Sequence, residues 1–180
     1  MLRKLHSKEG VTLTEMLVAV LLLSFLGLAM TSGLGVAMNI YKTSKEYAES
    51  RVLIDSAINA IADEMRYATD ITVNPDDGSL FYQSKIYLDA EIKLDGKGQL
   101  VIQFDSDTDP YRPLGERAYV GLAICPKEEN NSIFTYDGSD AISISFDIVH
   151  ANALNAENEE ERNIIASVSD VKIYLLNVTD

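Results

Sequence analysis

Beyond its polar opening the hydrophobic pattern of the chain changes twice. After a polar, basic opening, MLRKLHSKEG, the sequence becomes apolar, and from Val11 to Tyr41 its only charge is Glu15. As a helix, the first twenty of these residues would span about 30 Å, the thickness of a bilayer core. From Thr43 to about Ile71 the helical period persists but becomes amphipathic. Tyr47, Ile54, Ala57, Ile58, Ile61, Met65 and Ala68 form one stripe, opposite Arg51, Asp55, Asn59, Asp63 and Arg66. One helix of about 60 residues, roughly 90 Å long, is therefore expected from Val11 onward. The stripe lasts too few heptads for a coiled coil.

The second change follows Asn74-Pro75-Asp76-Asp77-Gly78, a turn cluster expected to end the helix. Beyond it the period falls to two. Ile86, Leu88, Ala90, Ile92 and Leu94 alternate with polar residues, and after Asp95-Gly96-Lys97-Gly98 the alternation resumes at Leu100, Ile102 and Phe104, which predicts a β-hairpin. Further strands are expected at 118–124, 133–136, 141–150 and about 168–178, with Ile142, Ile144, Phe146 and Ile148 sharing one face of the third. Strands after one long helix predict an α+β fold, with the helix packed on an antiparallel sheet. The organisation expected is a basic leader at 1–10, a membrane helix at 11–42 and a head at 43–180.

Charge narrows the function. The formal net charge is −13, and because the leader contributes +2, Glu15 −1 and Lys42 +1, the part from Thr43 onward carries −15. So acidic a head does not fit nucleic acid or an anionic membrane surface, which require clustered Lys and Arg. The basic start keeps the N-terminus in the cytoplasm and places the head outside, across a single pass. With Cys125 as the sole cysteine, an intrachain disulfide is excluded. Cys125 and His150 stand in no recognisable nucleophile motif, and phosphate-loop, zinc and G-x-S-x-G motifs are absent, so no enzyme is read here.

One loop carries candidate chemistry. Asp105, Asp107, Asp109 and Glu116 occupy positions 1, 3, 5 and 12 of an EF-hand-like spacing, which would offer hard oxygen ligands to calcium. Pro110 stands where such a loop wants glycine, and an ordinary acidic turn is the competing reading. No other cofactor is implied. The Asn- and Glu-rich segment from Asn152 to Asn163 reads as a solvated connection.

Glu15 is the remaining puzzle, since a charge within a membrane helix costs about 2 to 3 kcal/mol near its centre and usually has a partner. The basic leader, Gly10, apolar Val11, Thr12-Leu13-Thr14, Glu15 and the uninterrupted apolar run together resemble the class III signal of type IV prepilins and pseudopilins. Val11 departs from the commoner phenylalanine or methionine. The resemblance covers about the first forty residues and implies cleavage by a prepilin peptidase between Gly10 and Val11, methylation of the new amine, and pairing of Glu15 with the N-terminal amine of a neighbouring subunit. Ser32, Gly33 and Gly35 then read either as a region that unwinds on filament entry or as small residues for close helix packing. Asp63-Glu64-Met65-Arg66-Tyr67-Ala68 is similar to the helix ending of minor pseudopilins of the J and W type. The expected partners are other pilin or pseudopilin subunits, the peptidase and an inner-membrane assembly platform. The expected role is a structural subunit of a type IV pilus, secretion or DNA-uptake filament, resident first in the cytoplasmic membrane and later in a periplasmic or cell-surface filament. The alternative is a surface-tethered acidic binding domain that never assembles.

Overall fold

The computed structural model describes residues 11–84, 89–104, 109–127, 132–154 and 162–176. The fold is α+β, with one long N-terminal helix, α1 (Leu13–Met65), packed against antiparallel sheets. Two compact units divide the chain at Ser44.

In the first unit every described residue is exposed, and α1 runs without interruption through Ser32, Gly33 and Gly35. Isolated glycines lower helix stability by about 1 kcal/mol each but do not break a helix whose neighbours are Leu, Val, Ala and Met.

In the second unit α1 buries Ser50, Leu53, Ala57, Ile61 and Met65. Four of these recur at intervals of four, so they form one ridge, and each large member contributes roughly 1.5 to 3 kcal/mol by leaving water. The expected stripe holds for Ala57, Ile61, Met65 and Ala68, which are buried, and for Ile54 and Ile58, which pack against the core, and departs at two residues. Tyr47 is 53% exposed, whereas Leu53, which the stripe omitted, is fully buried. The polar face at Arg51, Asp55, Asn59, Asp63 and Arg66 is exposed as expected.

The helix stops at Met65 instead of continuing to about Ile71. From Thr69 the β-branched residues Thr69, Ile71, Thr72 and Val73 favour extended backbone. They form β1 (Thr69–Val73), which pairs with β2 (Leu80–Gln83). The Asn74 to Gly78 cluster therefore closes a hairpin, with Asn74 N–H donating to Ser79 O at 2.8 Å and Gly78 N–H to Asn74 O at 3.0 Å. The expected hairpin is present as β3 (Ala90–Leu94) and β4 (Leu100–Phe104), and its residues Ile86 and Leu88 lie outside the described residues. Strands β1 to β4 form one meander.

A second sheet contains β5 (Leu122–Pro126), β6 (Phe134–Thr135), β7 (Ala141–His150) and β8 (Ala166–Tyr174). The expected strand at 118–124 starts later, because Glu116–Ala118 forms a 3₁₀ turn. Strand β7 is central. It pairs with β8 over 141–148, with β5 over 146–150 and with β6 over 143–144. Since the β8 pairing overlaps both of the others, β5 and β6 must share the opposite edge of β7. Ile142, Ile144, Phe146 and Ile148 all face inward and are fully buried. They meet the α1 ridge and the inner face of the first sheet in one continuous core.

Two contacts tie the sheets together. Gly98 has φ +68°, and its carbonyl accepts the N–H of Ile124 at 2.9 Å. A Cβ there would lie 2.6 Å from Ile124 O and 2.9 Å from the Ala123 Cβ, so only glycine fits. Nearby, the hydroxyl of Tyr119 accepts the buried N–H of Leu100 at 2.7 Å.

Candidate functional site

Glu15 occupies the first turn of α1, three residues after Thr12. The Glu15 N–H donates to the Thr12 side-chain oxygen at 3.3 Å, and the Thr12 N–H donates to Glu15 Oε2 at 3.4 Å. This reciprocal pair is a long but recognisable capping box, which satisfies two of the four N–H groups that a helix start leaves without acceptors. The spacing Thr-x-x-Glu is its sequence signature, and the sequence reading passed over it because the apolar run posed the carboxylate as a charge problem. Among the described residues Glu15 has hydrogen bonds to Thr12 and no ion pair. Val11 is 66% exposed, and Gly10 lies outside the described residues.

Beyond this start the helix offers its neighbours almost nothing polar. Ser24 donates to Val20 O, Thr31 to Gly27 O, and Ser32 to Leu28 O and Ala29 O, at 2.8 to 3.1 Å. Each hydroxyl is thus satisfied within the helix, as an apolar surrounding requires. Leu17, Leu21, Phe25, Leu28 and Leu34 are all more than half exposed. An apolar surface of this extent is not stable against water and calls for lipid or protein cover. By length and composition the helix is able to cross a membrane once.

The calcium candidate is only partly placed. Asp105 and Asp107 lie outside the described residues, while Asp109 is exposed coil and Glu116 opens the 3₁₀ turn. The intervening chain is held by other means. Tyr111 and Ile102 exchange backbone hydrogen bonds at 2.7 and 2.8 Å, and Arg112 Nη1 donates to Asp95 Oδ2 and Gln99 Oε1, both at 2.7 Å. Burial pushes the Asp95 carboxyl up, but Arg112 and the N–H groups of Gln99 and Lys97 outweigh it and hold the group below the usual range. No group of three or more His, Cys, Asp or Glu is poised for a metal among the described residues.

Cys125 and His150 are separated. In the β5–β7 register His150 pairs with Leu122 and Cys125 with Asp147, an odd offset that puts the two on opposite faces of the sheet. Cys125 is buried against Ala123 and Val149, and burial raises its thiol pKa, leaving it a core group. Asp147 accepts from the Ser167 hydroxyl at 2.6 Å and faces Lys127 at 3.8 Å. Lys127 also bonds Ser169. A cleft of about 330 Å³ beside β6 has a mixed lining that includes Asn74, Lys127, Ser132, Tyr136 and Ser145, and the Ser132 hydroxyl there is already engaged with Gly78 O and Phe134 O.

No family model, curated protein or solved structure matches the chain.

Proposed function

We propose that this chain is a structural subunit of a type IV pilus-like filament or related secretion or DNA-uptake machine, anchored in the membrane by the first half of α1 before it assembles. The observation that carries the reading is the placement of Glu15: the one carboxylate between Val11 and Tyr41, at the start of the apolar, exposed first part of α1. Cleavage between Gly10 and Val11 would set an α-amine, normally protonated near neutral pH, four residues before it. Pairing with a neighbour's amine lowers the burial cost of both charges, and a wrong axial offset leaves both unpaired. In the free chain the Thr12 bonds hold the carboxylate at the helix start until that amine arrives.

The capping box favours a second reading, in which Glu15 only starts the helix of a tethered, non-assembling domain. Substitution separates the two. Glutamine serves a capping box as well as glutamate does but carries no charge. Glu15→Gln should therefore insert and keep its helix, yet be excluded from filaments in cells where the wild-type chain enters them. Normal incorporation of Glu15→Gln would leave capping as the whole role of the residue.

A further inference from the structure

A sheet is open to another chain wherever an outermost strand leaves its N–H and C=O groups without partners. Among the described residues the edges can be accounted for one by one. Strand β4 is closed by Tyr111, which exchanges backbone hydrogen bonds with Ile102. Strand β5 meets the β3–β4 turn, where Ile124 N–H donates to Gly98 O, and β6 is only 2 residues long. That leaves β1 in the first sheet and β8 in the second, each without a described strand on its far side.

Both are interrupted in the same way. In β8 the register passes from Phe146 opposite Val168 to Ile144 opposite Val171, so Ser169 and Asp170 together face Ser145. In β1 it passes from Thr69 opposite Gln83 to Thr72 opposite Phe81, so Asp70 and Ile71 together face Tyr82. Each is a β-bulge, which bends its strand and breaks the even spacing that an added strand has to match. Each holds an exposed aspartate at φ +50°, a left-handed conformation that Asp tolerates better than most residues. The bulge in β8 is pinned, since the Asp170 N–H donates to the Ser145 hydroxyl at 2.9 Å. Without it, β8 would be a regular outer strand rich in Val168, Val171, Ile173 and Tyr174, residue types that favour strand pairing.

We propose that the bulges at Asp70 and Asp170 close the two sheets to strand addition, so that two copies of this chain do not join edge to edge through their heads. The inference depends neither on membrane insertion nor on filament assembly.

The test uses the full-length chain in detergent micelles. Deletion of Asp170, alone and together with deletion of Asp70, restores one-to-one pairing with β7 and β2. With folding checked by cooperative unfolding in denaturant, the expected result is a gain of thioflavin T fluorescence and of the infrared band of intermolecular β-structure, at protein concentrations where the wild-type chain shows neither. Asp170→Gly keeps a residue at home in the left-handed position and removes the charge, so it should stay close to wild type. Ser145→Val frees the Asp170 N–H without altering β8, and it carries the test if a deletion does not fold. It should raise the same signals to a smaller extent. A folded deletion or Ser145→Val chain as free of both signals as wild type overturns the proposal. So does an Asp170→Gly chain that associates as strongly as the deletion, or a wild-type chain that already shows both signals.

Discussion

At the residue scale, three side chains show how local chemistry sets the structure. Thr12 and Glu15 start α1 by exchanging hydrogen bonds, so the residue that looks anomalous in the apolar run has an ordinary role in starting the helix. Tyr119 places its hydroxyl on the buried N–H of Leu100, and burial pushes its pKa up to about 12 while that hydrogen bond lowers it only in part. Tyr119→Phe leaves the N–H without an acceptor and is expected to cost about 1 to 3 kcal/mol, read from denaturant unfolding of the full chain in detergent. The pH dependence follows from the direction of the shift. The folded pKa lies above the unfolded value near 10, so the contribution of Tyr119 is fully present below that pH and is lost as the pH rises toward about 12. In Tyr119→Phe this part of the alkaline decline should disappear, and what remains includes Tyr82, whose pKa burial and Glu64 also raise, and the buried thiol of Cys125. Gly98 gives a steric prediction. Gly98→Ala combines a left-handed backbone with overlap on Ile124 O and is expected to destabilise by about 1 to 3 kcal/mol, measured the same way.

At the element scale, the long helix does two different jobs with one backbone. Its first part spends no side chain on the head's core, and its second part supplies the ridge on which both sheets close. Ile61 sits in that ridge with no exposure, so Ile61→Ala should cost about 2 to 5 kcal/mol through lost burial and a cavity, seen as a lower denaturation midpoint. Truncation to alanine at exposed Val52 should change stability by less than about 0.5 kcal/mol. The elements most legible in the sequence were those with the longest clean period. Alternation over ten residues marked β7 correctly in extent and face, and Asp95-Gly96-Lys97-Gly98 marked the β3–β4 turn. Strand β1 was read as helix because Ile71 fits either period, and β2 is only four residues long. Leu53 was left out of the stripe because Leu53 and Ile54 are adjacent apolar residues and one turn of helix does not say which of them is the more deeply buried.

At the scale of the whole molecule, the α+β architecture was legible, but its division into two sheets was not, because the edges that β7 shares with β5, β6 and β8 depend on contacts remote in sequence. Of the candidate site, the apolar run and its single carboxylate were visible at once. What the fold added was that the apolar surface stays wholly uncovered while the acidic head completes its own core. A head with its own core and a helix whose apolar surface is uncovered are the two parts that the proposed assembling subunit requires. The most direct measurement of that account is the mass of the mature N-terminus of the chain purified from the membranes of cells that carry a prepilin peptidase. The account predicts a chain that begins at Val11 with a methylated amine; an intact Met1, or a cut after the apolar run, would contradict it.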